Sequence, residues 1–108
     1  MENTSPFLAI QRVEGQIRAL LRIIDTELLE ASEKKAASSL RRLATDTRLD
    51  IRDYELSETR EEQIKYMAEA KKRLAKLRAA ILSVGPAFGP ADVAQVTAQL
   101  EVIEDWLR

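Results

Sequence analysis

The chain has 108 residues, enough for one domain with its own apolar core. Its composition, 45% hydrophobic and 32% charged, is too apolar for a disordered chain and too charged for a membrane protein. It contains no histidine and no cysteine and has a net charge of −1, which excludes disulfides, thiol and imidazole chemistry and most zinc sites and argues against nucleic acid as a partner.

The first predicted helix covers about residues 6–31. Its apolar residues recur at spacings of three and four, as one face of a helix requires. They are Ile10, Val13, Ile17, Leu20, Leu21, Ile24 and Leu28. Ser5 followed by Pro6 is a typical helix start. Gly15 lies away from the apolar face, so it is either a tolerated surface glycine or a point of close approach to another backbone.

Three further helices are predicted from the same periodicity, at about 33–56, 58–84 and 91–107. Thr59 and Glu62 fit a capping box at the start of the third helix. The segment 84–90, VGPAFGP, contains two glycine–proline pairs and predicts the break before the last helix.

The patterns therefore predict an all-α fold, an antiparallel helical bundle of three long helices plus a shorter C-terminal helix, in one domain over 1–108. Two of the turns depend on weak polar stop signals, at 32–35 and 56–63. The alternative is a long coiled-coil dimer built on one continuous helix. Because no apolar run approaches the roughly 20 residues that span a bilayer, and the N-terminus does not resemble a signal peptide, we expect a cytoplasmic protein without a membrane partner.

Charge is sorted on the second helix. A helical wheel places three aspartates on one flank of its apolar face and three arginines on the other. They are Asp46, Asp50 and Asp53, and Arg41, Arg48 and Arg52. One helix face supplies too few oxygen ligands for a hard cation, so we expect no metal here. We expect instead that these charges pair with neighbouring helices or with another subunit.

Six residues are candidates for partner binding. They are Lys71, Lys72, Lys76, Arg78, Phe88 and Trp106. The basic residues belong to a run without acids that either forms a solvated face or contacts an anionic partner, and no aromatic residue is interleaved to stack on bases. Phe88 either closes the end of the bundle or is an exposed anchor for a partner, and the same two interpretations apply to Trp106.

Residues 12–24, RVEGQIRALLRII, resemble the first helix of the CsoR/FrmR family of metal- and formaldehyde-sensing repressors. The matching positions are Arg12, Glu14, Gly15, Gln16 and Arg18. The resemblance implies a transcriptional regulator in which Arg12 and Arg18 belong to a DNA-facing surface. This chain lacks the cysteine and histidines through which that family senses, and it lacks the usual second-helix sequence.

A second resemblance begins slightly later and is to the first helix of the all-helical chorismate mutases. The matching positions are Arg18, Arg22, Ile24, Asp25, Leu28, Leu29 and Lys35. It implies a small enzyme in which arginine and lysine hold an anionic substrate and positioning does most of the catalysis. The loop and the acidic-arginine motif that follow in that family are not visible here.

The sequence contains no nucleophile–base pair, metal cluster or phosphate-binding loop, so we expect no enzyme activity and no cofactor. Long apolar faces and sorted charges suit helix–helix recognition. The leading hypothesis is a non-catalytic helical interaction module, an adaptor, assembly factor or small chaperone, that binds a protein partner or forms a homo-oligomer. If the fourth helix is loosely held after its Gly/Pro hinge, it could exchange with a partner helix.

Overall fold

The computed structural model describes residues 5–24 and 26–107, and this part of the chain forms four α-helices and no strand. The helices are α1 (Pro6–Ile23), α2 (Ala31–Leu56), α3 (Arg60–Phe88) and α4 (Pro90–Trp106), with a short 3₁₀ turn at Thr26–Leu28. The all-α prediction is confirmed.

The four helices form a ring in which each contacts its neighbours in the sequence, and α1 and α4 contact each other to close it. The connections are short: residues 57–59 join α2 to α3, and Gly89 alone joins α3 to α4. Short connections make successive helices antiparallel. The radius of gyration is 14.2 Å, close to the roughly 13 Å of a compact domain of this size. The chain is therefore a bundle, and residues 6–85 do not form one long helix.

The core lies along the axis of the bundle and receives side chains from every helix. The most deeply buried large side chains are Ile10, Val13, Ile17, Leu40, Ile51, Leu77, Ile81, Val84, Val96, Leu100, Ile103 and Leu107. Burying one such side chain stabilises a fold by about 1.5–3 kcal/mol, so this shared interior holds the four helices together. Most of these residues belong to the apolar faces that the periodicity predicts.

The predicted turn at 32–35 is wrong, because the chain turns earlier. Helix α1 ends at Ile23, not near 31, and a 3₁₀ turn at Thr26–Leu28 precedes the start of α2 at Ala31. The Glu30 backbone N–H donates to the Glu33 carboxylate at 3.1 Å, and this cap begins α2 ahead of the polar stretch. Leu29 packs into the core within the turn and is 8% exposed. The polar residues 32–35 therefore lie in the first turns of α2.

The predicted break at 84–90 is much narrower than expected. Helix α3 continues through Gly85 and Pro86 to Phe88, and Gly89, with φ 86°, is the N-cap of α4. The last turn of α3 brings Phe88 into the core, where it is 6% exposed. We attribute the extension to this burial, which offsets the hydrogen bond that a proline removes from a helix.

The predicted cap at Ser5 is confirmed, because its hydroxyl accepts a hydrogen bond from the Leu8 backbone N–H at 3.1 Å. Of the capping box predicted at Thr59 and Glu62, the structure shows one half: the Thr59 hydroxyl accepts a hydrogen bond from the Glu62 backbone N–H at 3.2 Å. A side chain added at Gly15 would meet no atom within 4 Å, so Gly15 is a surface glycine and not a point of close approach. Over the described ranges, the helices are too short or too polar to cross a membrane.

Candidate protein interface on helices 3 and 4

Ion pairs between helices account for much of the sorted charge. Arg73 on α3 donates to Asp50 on α2 at 2.6 Å, and Arg78 on α3 donates to Glu104 on α4 through Nη2 at 2.6 Å and Nε at 3.0 Å. Arg48 on α2 pairs with a carboxylate of α1. The expected pairing of helix 2 charges with flanking helices is thus confirmed for Arg48 and Asp50.

The segment that resembles the CsoR/FrmR helix contributes a structural carboxylate. Glu14 is 9% exposed and pairs with Arg48 Nε at 2.5 Å and with Arg18 Nη2 at 3.9 Å. The Thr45 hydroxyl donates to the same carboxylate at 3.3 Å. These contacts tie α1 to α2, while Arg12 is exposed on the outside of the bundle. Glu14 therefore has a structural role in joining α1 to α2.

Asp50 is the other deeply buried carboxylate among the described residues, at 6% exposed. Burial raises the pKa of Asp50 above its ordinary value, and the hydrogen bond and charge of Arg73 offset only part of that effect. Burial lowers the pKa of the Arg73 guanidinium, but the hydrogen bond to Asp50 and the negative charges of Asp50, Asp46 and Glu69 together outweigh it and raise that pKa above its ordinary value. The pair joins α2 to α3 and is not open to a substrate.

The six predicted binding residues lie in three different environments. Lys71, Lys72 and Lys76 are exposed on α3 and have no ion-pair partner within the described chain. Phe88 is buried, so it closes the end of the bundle and its ring is not available to a partner in this conformation. Trp106 is 40% exposed and packs edge-on against Tyr54, with ring centroids 5.1 Å apart.

The structure brings two of the predicted residues together with others that the sequence did not single out. Lys71 and Arg78 line a depression of about 420 Å³ beside Ala75 and Glu104. A second, mostly apolar groove of about 680 Å³ lies further along the seam between α3 and α4. It is lined by Leu82, Gly89, Pro90, Val93, Ala94, Thr97, Ala98 and Glu101. We call the residues lining both depressions the α3–α4 face.

Leu82 is the most informative residue of this face. Its side chain is 57% exposed although it is large and apolar, and Ala94 and Ala98 are exposed beside it. The spacing of Ala94, Ala98 and Glu101 places them on one side of α4. This spacing can be read from the sequence, but periodicity alone does not say whether a neighbouring helix covers this side of α4.

Among the described residues, no group of three or more aspartate or glutamate side chains is arranged to hold a metal ion. Glu14, Asp50 and Glu104 each pair with an arginine of a neighbouring helix. No family model matches the chain, and no known protein or solved structure matches it at a significant level.

Proposed function

We propose that this protein is a non-catalytic helical interaction module, an adaptor, assembly factor or small chaperone, and that it binds its partner through the α3–α4 face. The observation that carries the proposal is the apolar groove around Leu82, which is open to solvent, has Glu101 in its lining and continues into the depression lined by Lys71, Arg78 and Glu104. An exposed apolar patch with a polar rim is typical of a protein interaction site.

The shape and composition of the groove favour a helical partner. It runs along the seam between two antiparallel helices, which is the geometry of helix-in-groove recognition. Ala94 and Ala98 carry small side chains, so a partner helix can approach closely, at the short end of the 8–10 Å between packed helix axes. Lys71 at one end of the face can contact acidic groups on the partner.

The polar clusters elsewhere in the bundle support a structural role rather than a catalytic one. Glu14 and Asp50 are neutralised by arginines of neighbouring helices, and each contact joins two helices. We also propose a cytoplasmic location, which fits a chain without cysteine.

The test is photocrosslinking of the full chain in its native cells. A photoreactive p-benzoylphenylalanine replaces Ala98 in the groove or, as a matched control, the exposed Ala19 on α1. We expect light-dependent adducts from position 98 and few from position 19, with the bound protein identified by mass spectrometry. If positions 94 and 98 both gave no adduct while position 19 did, the α3–α4 face would not be the binding surface.

A further inference from the structure

The two halves of the α3–α4 face carry opposite charge. From residue 71 to the end of α3 there are five basic residues and no acid, and α4 contains four acids and no base. The basic residues are Lys71, Lys72, Arg73, Lys76 and Arg78, and the acids are Asp92, Glu101, Glu104 and Asp105. The segments of α3 and α4 that form the face are therefore opposite in charge, positive on α3 and negative on α4, although Arg73 is turned to Asp50 on α2.

Side chains of both signs lie on the face itself. Lys71 and Arg78 line it on the α3 side, and Glu101 and Glu104 line it on the α4 side. Arg78 and Glu104 pair with each other across the seam, whereas Lys71 and Glu101 have no ion-pair partner within the described residues. Glu101 borders the apolar groove, and Lys71, Arg78 and Glu104 line the neighbouring depression.

We infer that the partner on this face is a second copy of the chain, placed by a two-fold axis parallel to the helices. The inference rests on the proposed function and names its partner. Such an axis lays α3 of each copy on α4 of the other, so that each basic half meets an acidic half. Both grooves then close on each other, as in an isologous dimer.

The charge pattern selects this arrangement over others. A two-fold axis perpendicular to the helices would lay α3 on α3 and α4 on α4, and bring like charges together, which is unfavourable across an interface. An unrelated partner would need negative charge opposite α3, positive charge opposite α4 and an apolar surface beside them. This chain already supplies that pattern, and its exposed alanines allow the two layers of helices to approach closely.

The first test measures molar mass by light scattering over a range of concentrations. We expect the chain to change from 12.2 kDa to twice that value as concentration rises. Leu82→Glu places a charge in the groove and should abolish the dimer. Leu56→Glu is the matched control, because Leu56 is 70% exposed and lies at the far end of α2, outside the face. Both variants should unfold at the wild-type temperature, since both side chains are exposed.

The second test reverses one charge on each half of the face. Arg78→Glu and Glu101→Lys should each weaken self-association by about tenfold. The Arg78–Glu104 pair shows that these residues lie at one height along the bundle, so the two-fold axis brings Arg78 of one copy near Glu101 of the other and repeats every change twice. An equimolar mixture of the two variants should recover the wild-type affinity, since each basic half again meets an acidic half. Recovery on mixing cannot result from a folding defect of either variant.

The outcomes separate this inference from the proposed function. A wild-type chain that stays monomeric at high concentration overturns the second-copy inference, and so does a dimer that Leu56→Glu disrupts and Leu82→Glu does not. Crosslinks from position 98 to a different protein, without self-crosslinks, keep the interaction function and overturn the dimer. Self-crosslinks, loss of the dimer in Leu82→Glu and recovery on mixing support both.

Discussion

At the scale of single residues, the two buried carboxylates show how the bundle uses charge. Glu14 has three polar contacts and joins α1 to α2, and Asp50 depends mainly on Arg73 to join α2 to α3. Because burial raises the pKa of Asp50 despite its arginine, the ionised carboxylate is less favourable in the folded chain than in the unfolded one. Asp50 therefore gives the fold a pH dependence of known sign.

We predict that Asp50→Asn is at least as stable as the wild type at pH 7, because it removes a charge that burial disfavours more than Arg73 favours it. The pKa of Asp50 in the folded chain lies above its ordinary value of 3.8. Its contribution to the free energy of unfolding is therefore most favourable below pH 3.8, and it is lost as the pH rises through the pKa of the folded chain. Asparagine keeps the shape without the charge, so the difference should disappear in acid. Urea unfolding at pH 7 and pH 3 measures it.

The matched control is Asp53→Asn, which changes a half-exposed carboxylate on the same flank of α2. A loss of more than about 2 kcal/mol for Asp50→Asn at pH 7 would contradict the prediction, because it would mean that the attraction of Arg73 exceeds the burial cost.

At the scale of secondary-structure elements, glycine has opposite roles inside a helix and between helices. Gly15 lies in the interior of α1 with open space around it. Gly89 joins α3 to α4 with φ 86° and ψ 151°, a conformation that is essentially restricted to glycine. The tight corner that antiparallel α3 and α4 need therefore depends on one residue type at one position.

We predict opposite effects for the same substitution at these two sites. Gly15→Ala should stabilise the protein by about 0.5–1 kcal/mol, because alanine loses less backbone entropy in a helix. Gly89→Ala should destabilise it by about 1–3 kcal/mol through backbone strain, although no atom lies within 4 Å of the new methyl group. Chemical unfolding of both variants provides the measurement. Equal effects at the two positions would contradict this account.

At the scale of the whole molecule, α4 is an integral part of the bundle. It contacts both α1 and α3, and Val96, Leu100 and Ile103 are at most 2% exposed. Phe88 is buried just before the corner. These contacts argue against a loosely held α4 that exchanges with a partner helix, and they favour binding through an exposed face of the intact bundle.

We therefore predict that α4 unfolds together with the rest of the chain. Backbone amides near Leu100 should exchange with solvent as slowly as those near Leu77 in α3. The free energies of opening derived from the two exchange rates should agree within about 1 kcal/mol. Native-state hydrogen exchange resolved by residue measures this. Protection of α4 far below that of α3 would show instead that the last helix opens independently.

Periodicity predicted most of the architecture because an apolar face must be buried wherever the chain goes. Ile17, Leu77 and Leu100 are core residues for that reason. The helix boundaries were less predictable. The start of α2 depends on a local cap formed by Glu30 and Glu33, and the end of α3 depends on the burial of Phe88. In each case the boundary depends on a specific hydrogen bond or packing contact, and hydrophobic periodicity reports neither.

The candidate site was only half visible in the sequence. The spacing of Lys71 and Arg78 indicated a basic edge of the third helix. Leu82 and Ala98 did not stand out, because the sequence does not show which helices pack beside them. The sequence by itself determined an all-helical chain, its apolar faces and its uneven charge, because these follow from residue type and spacing. Only the tertiary structure decided which flanks are covered, because covering a flank depends on contacts between residues far apart in the chain.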